Sequence, residues 1–184
     1  MQASIARNDD LAAETRRALR RLASAVAVVT CRDAAGRHAM TATAVSAMSM
    51  QPPSMIVCVN RANAFHAAIG RAQAFAINIL HREQQRISVG CGGSLRGEDR
   101  FGVGAWDEAR GVPVLVDAQA HIVCARDEQF DYGSHTIFVG RVITVGTSGT
   151  VDPLVYVDGR YTGLPGDALP APLSEIDLLY QFAL

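Results

Sequence analysis

The chain has 184 residues, of which 49% are hydrophobic and 19% charged, and a net charge of -1. This length predicts one domain with a sizeable core of its own. The charge balance supplies no basic surface for nucleic acid, and no apolar run reaches the length of a membrane span.

All 17 basic residues are arginine. Schiff-base lysine chemistry and a P-loop lysine are thereby excluded. A bound phosphate has to be met by arginine, hydroxyls or backbone N–H groups. Cys31, Cys58, Cys91 and Cys124 form no C-x-x-C pair, so no metal site is expected. Reduced core thiols suit a cytoplasmic protein, and the N-terminus is too charged for a signal peptide. The apolar surplus fits a subunit interface.

In chain order, Asp9 and Asp10 open an amphipathic helix over 9–23, with Leu11, Leu19 and Leu22 on one face. Residues 24–32 read as a buried strand, turned by Ala34-Ala35-Gly36 into a hairpin. Residues 36–60, GRHAMTATAVSAMSMQPPSMIVCVN, read as two strands joined at Pro52-Pro53. In the first strand Thr41, Thr43, Ser46 and Ser49 form a hydroxyl row, on a period of two, suited to an anionic, ring-bearing ligand or simply to water. The second strand is apolar and β-branched, as a buried strand is.

Residues 63–70 form a short helix between an Asn63 N-cap and a Gly70 C-cap. A strand over 73–80 and a helix over 83–89 follow, then a glycine cluster and a loop containing Asp99, Arg100, Phe101 and Trp106. Residues 113–125 are one long or bent strand, 131–134 a turn, and 135–146 and 154–157 further strands. Residues 165–184 read as a linker and a short helix. Many strands with few short helices, and no G-x-G-x-x-G, argue against a doubly wound dinucleotide fold and for an antiparallel barrel.

Three stretches carry a resemblance. Met40-Thr41-Ala42-Thr43-Ala44-Val45, Pro52-Pro53 and Val57-Cys58-Val59-Asn60 are similar to the signature run of the short-chain flavin reductases, the reductase components of two-component flavin-dependent monooxygenases. CGGSLRGEDRF resembles that family's F-(A/G)-G-K…R-F run, with Ser94 where lysine is usual. GSHTIFVGRV resembles its G-D-H run, with Ser134 where aspartate is usual. The resemblance covers residues 19–161.

It implies a mainly β fold with short helices, an antiparallel FMN-binding split β-barrel over 1–164. It further implies NADH or NADPH as hydride donor, FMN or FAD as acceptor, a monooxygenase partner and a homodimer. Thr41, Ala42, Thr43, Ala44 and Ser46 would contact the flavin ribityl and phosphate. Asn60, Asn63 and Phe65 would line the pocket, although a turn asparagine, a cap and a core aromatic explain them equally well. Cys91, Gly92, Ser94 and Arg100 would face the phosphate, with Arg96 or Arg100 in place of the missing lysine, unless Arg100 only pairs with Glu98 or Asp99. His135 would lie beside the flavin and bind nicotinamide, with Asp131 a substitute for the missing aspartate. Arg160 or Tyr161 would flank the site. A flavin-binding protein without reductase turnover, on the same barrel, and an oxygenase with its own organic substrate remain open as rivals.

Overall fold

A computed structural model describes residues 2–164; the linker and helix expected over 165–184 lie outside them. Helix α1 is Gln2–Leu19. The strands that follow are β1 Ser24–Ala25, β2 Ala27–Asp33, β3 Gly36–Ala42, β4 Val45–Met50 and β5 Pro53–Asn60. Helix α2 (Ala64–Arg71) leads to β6 (Ala74–Ile79), and helix α3 (Gln85–Val89) continues into a π-helical turn, Gly90–Ser94. A 3-10 turn, Gly97–Gly102, precedes β7 Trp106–Ala109 and β8 Val112–Leu115. The long ribbon of β9 (Ala120–Tyr132) and β10 (His135–Thr147) follows, then β11 Val155–Val157 and β12 Arg160–Thr162. No helix among the described residues is long and apolar enough to cross a membrane.

Seven strands form one antiparallel sheet in the order β3-β2-β6-β9-β10-β5-β4. Its edges, β3 and β4, are consecutive in the chain. Thr43 and Ala44 carry the backbone between them outside both strands. The two edges are joined by a covalent link instead of a hydrogen-bonded ladder, which is how the barrel is split. The expected single hydroxyl-bearing strand is therefore two strands on opposite sheet edges, and the hydroxyls do not form one row. An edge strand has no neighbour to continue its ladder, so the chain is free to bend there.

Other sequence expectations shift for local reasons. The 24–32 strand divides at Val26, whose N–H donates to Leu154 O while its carbonyl accepts from Leu80 N–H. β1 thereby pairs with β11 and β2 with β3 and β6. Helix α1 begins seven residues before Asp9, so Asp9 and Asp10 lie within it and do not form its first turn. Leu11, Leu19 and Leu22 are 61%, 58% and 64% exposed, so the expected apolar face of this helix stays open. Gly70 lies inside α2; the C-cap is Ala72, whose N–H reaches Ala68 O. Trp106 starts a strand and is not in a loop. The 113–125 segment splits into β8 and β9 at a turn after Leu115, closed by Ala118 N–H to Leu115 O. Asp131 and Tyr132 belong to β9, leaving Gly133 and Ser134 as the turn.

The core has two main parts. Inside the barrel, Val29, Val57, Phe75 and Phe138 meet Phe65 and Ile69 of α2. On the other face of β2, Val28, Leu80, Ile87, Leu115 and Leu154 pack together. Gly140 is required by close approach: a Cβ there would come within 2.6 Å of Cys124 Cβ and 2.7 Å of the Phe75 ring.

All four cysteines are free. Burial pushes the Cys31 and Cys124 thiols up to about 12, and the Cys91 thiol up to about 11 against the opposing Arg100 charge. Cys58 is half-buried. Because the thiolate is the nucleophile, Ellman's reagent at pH 8 is expected to titrate no more than Cys58 in the native protein. All four should react after guanidinium unfolding. Rapid native labelling of two or more would contradict the buried positions.

Candidate active site

The rim of the barrel, where β3 gives way to β4, gathers most of the expected residues. Thr41 is half-buried and donates its hydroxyl to Ser88 O at 2.6 Å. Ser88 Oγ lies 2.9 Å from Tyr161 OH, so Tyr161 is joined to Thr41 through α3. Gly92 sits against Thr41: a Cβ on it would lie 3.7 Å from Thr41 Oγ1. Thr43 and Ala44 are exposed in the strand break. Ala44 O accepts from Cys58 N–H at 3.0 Å, two residues along β5 from Asn60. Asn60 in turn is the cross-strand partner of His135. Thr41, Gly92, Thr43, Ala44, Asn60 and His135 thus follow one line through contacts and strand register.

His135 and Asn60 are exposed, whereas Thr136 and Val59 beside them are fully buried. Alternation along a strand puts His135 and Asn60 on the outer face of the sheet. Cys58 and Ile137 are paired on that same face, as are Tyr132 and His135. Ser134 Oγ lies 2.9 Å from His135 Nδ1, which leaves Nε2 for a ligand. Asp131 does not substitute for the missing aspartate. It accepts from Thr136 Oγ1 at 2.5 Å and lies 3.8 Å from the Arg61 guanidinium.

Several side chains have structural work that their sequence positions left open. Asn60 Oδ1 accepts from Ala62 N–H and Asn63 Oδ1 from Phe65 N–H, a turn and an N-cap respectively. Phe65, Ala42 and Cys91 are 2%, 8% and 2% exposed, so their side chains belong to the interior. Ser46 is exposed on β4 and donates to Ala47 O. Ser94 donates to Val89 O across the π-helical turn. Arg100 does not pair with Glu98 or Asp99. Its Nε donates to Leu95 O and its Nη1 to Ala39 O, which fastens the glycine-rich segment to β3, while Glu98 pairs with Arg37. The Arg96 carbonyl accepts from Asp99 N–H, but its guanidinium has no hydrogen bond or salt bridge among the described residues.

Sequence reasoning missed Ser88, Arg61, His66 and Thr136. Their contacts join residues far apart in the chain, and no local pattern announces them. Two grooves meet at Thr43. One, about 780 Å³, runs between Leu19, Leu22, Ala44 and Tyr156, with Arg16 and Arg20 at its side. The other, about 300 Å³, is lined by Ala27, Val45, Ser46 and Met55 among others. A third, about 540 Å³, lies around Asp33 and Arg71 at the opposite end of β3 and takes in none of the expected residues.

A split antiparallel barrel whose strand break presents hydroxyls and exposed backbone, with an imidazole further along the rim, is a protein of the flavin reductase class. The chain belongs to the flavin reductase like domain family, whose model matches residues 19–165. It is 37% identical over 162 residues to the reductase component of an FADH(2)-dependent resorcinol hydroxylase from Rhizobium sp. strain MTP-10005, covering 86% of this chain and 88% of that one. It is 36% identical over 155 residues to an FMN reductase (NADH) RutF 1 of Methylorubrum extorquens, covering 84% and 77%. BorF, the flavin reductase component of a bacterial two-component tryptophan halogenase, superposes with a TM-score of 0.77 at 31% identity over 84% of this chain and 98% of that chain. The NADH:FAD oxidoreductase SgcE6 of Streptomyces globisporus, in complex with NAD and FAD fragments, gives 0.78 at 26% identity over 85% and 94%.

Proposed function

We propose that this chain is an NAD(P)H:flavin oxidoreductase that reduces FMN or FAD and supplies the reduced flavin to a partner monooxygenase. The observation that carries the reading is the continuous rim from Thr41 and Gly92 through Thr43–Ala44 to Asn60 and His135. Bound flavin supplies the redox chemistry by accepting at N5 the hydride from nicotinamide C4.

The donor set fits a phosphorylated, ring-bearing ligand. Thr43 and Ala44 are exposed outside the strands, and hydroxyls and backbone N–H groups bind phosphate without a full charge. Arg96 takes the place of the usual lysine as the cation. Arg100, Cys91, Ala42 and Phe65 act from beneath, by holding the segments that carry the exposed groups. Asn63 fixes the start of α2 and so the path of the backbone after Asn60. His135 orients the nicotinamide through Nε2, with Nδ1 held by Ser134. Binding the two rings at near-attack distance, with water displaced from between them, is the protein's share of the rate.

We further assign a homodimer, which would cover the outer sheet face where Phe130 and Tyr132 are 55% and 84% exposed. A cytoplasmic location keeps the four free thiols reduced. Sedimentation velocity tests the dimer.

The deciding experiment is NADH and NADPH oxidation at catalytic enzyme concentration, with FMN and FAD added in turn. Turnover that requires added flavin is the expected result. Flavin binding without turnover would replace the reductase with a flavin-binding protein.

A further inference from the structure

We propose that Arg61, His66, Thr136 and Asp131 form a clamp that positions His135 against Asn60. The inference rests on the reading of His135 as the nicotinamide-orienting residue. It begins with a defect in the sheet. β6 supports β9 only as far as the pair Ala74 and Ala125. From Asp127 to Tyr132 the outer edge of β9 has no strand beside it among the described residues, and Glu128 to Tyr132 are all exposed. The tip that carries His135 is thus three strands wide, β9, β10 and β5, with the β9 edge open. An open edge leaves a row of backbone groups unpaired, so the position of the tip depends on what fastens it elsewhere.

The support comes from the β5–α2 connection. Arg61 N–H donates to Ser134 O at 2.9 Å. Its guanidinium donates to Gly133 O and lies 3.8 Å from Asp131. One turn into α2, His66 Nε2 lies 2.8 Å from Thr136 Oγ1. Thr136 donates onward to Asp131 at 2.5 Å, so the proton on this contact belongs to His66 Nε2. The His66 ring also meets Phe138 edge-on, with centroids 5.5 Å apart. Both residues of the ribbon turn and both residues flanking the His135–Tyr132 pair are therefore tied to the segment that begins at Asn60. Thr136 is fully buried, so water cannot replace its hydroxyl.

Geometry explains why this matters. Thr136 points inward and His135 outward from the same strand, so a shift of the first displaces the second. Misplacement by about 1 Å costs up to about 10²-fold in a reaction that depends on near-attack geometry. None of the four clamp residues has to touch flavin or nicotinamide.

Thr136→Val removes the hydroxyl while keeping the shape; Thr136→Ser keeps the hydroxyl and serves as the rescue. For Thr136→Val, kcat is expected to fall about tenfold or more, with the flavin Kd within about twofold of the parent. Thr136→Ser should retain more than half of the parent kcat. Imidazole ¹H–¹⁵N spectra of the ligand-free proteins give a readout that needs no turnover. The His135 ring resonances should move or broaden in Thr136→Val and stay in place in Thr136→Ser. Unchanged His135 resonances in folded Thr136→Val overturn the clamp, as does an unchanged kcat. If Thr136→Val does not fold, Asp131→Ala, on the exposed end of the ribbon, removes the acceptor of the Thr136 hydroxyl and is read by the same two measurements. His135 resonances that move in Thr136→Val, together with a parent protein that shows no turnover, retain the clamp and lose the reductase reading.

Discussion

His135→Ala is expected to lower kcat for flavin-dependent NAD(P)H oxidation by about 10²-fold, the scale of a lost orienting contact. Flavin affinity should change by less than about threefold, because the part of the rim proposed to hold the phosphate, at Thr41, Thr43 and Gly92, is untouched. The asymmetry is the informative part. His135 stands on the outer face, paired to Asn60, with one ring nitrogen held by Ser134. Ser134→Ala should therefore produce a weaker version of the same effect, and Ser134→Asp should retain or exceed the parent rate by holding Nδ1 with a charged acceptor. Stopped-flow measurement of flavin bleaching after mixing with NADH separates hydride transfer from binding. Parent-like bleaching in His135→Ala would remove His135 from the reaction.

Asn78→Leu is expected to destabilise the fold by about 3–5 kcal/mol, read as a lowered urea midpoint with little change in slope. Asn78 is fully buried in β6. Its Nδ2 donates to Val28 O at 3.0 Å and to Thr30 Oγ1 at 3.3 Å, and its Oδ1 accepts from Leu115 N–H at 2.8 Å. Thr30 Oγ1 donates in turn to Pro113 O at 2.5 Å. One amide thus joins β6, β2 and β8 on the Val28 face of the sheet, beside Leu115 of the second core. Leucine would leave the Leu115 N–H and the Val28 carbonyl's extra partner unmet in a dry interior, at about 1–3 kcal/mol for a stranded group, plus the strain of a branched side chain. Thr30→Val should cost less, and the double variant less than the sum, because the two share the network. A midpoint within error of the parent would show that the strands hold together without this link.

The apolar strand QAFAINIL announces β6 plainly by its pattern, yet nothing in that pattern marks its asparagine as a junction. The same division runs through the rest of the molecule. Period-two and apolar runs placed β2, β5, β6, β10 and α2 to within a few residues, because those elements follow from local side-chain preference and from the caps at Asn63 and in the turns. The motif residues Thr41, Thr43, Asn60, Gly92 and His135 were legible for a different reason: they stand in runs whose order resembles a family. What sequence read wrongly was continuity. The 36–49 segment looks like one strand, and only pairing shows that it is two, at opposite sheet edges.

The sequence by itself determined a mainly β chain, free thiols in the interior and a flavin reductase type of motif, since composition, periodicity and residue order are all local properties. The tertiary structure alone decided which of those residues are exposed along the rim and which are held inside. It turned Asn63, Phe65, Cys91 and Arg100 into supports, put His135 and Asn60 side by side, and replaced the expected Asp131 contact with Ser134. Those outcomes depend on register and on hydrogen bonds between residues far apart in the chain, such as His66 and Thr136. Such bonds form because a buried polar group must find a partner wherever the fold brings one, and no stretch of sequence carries that distance in its own pattern.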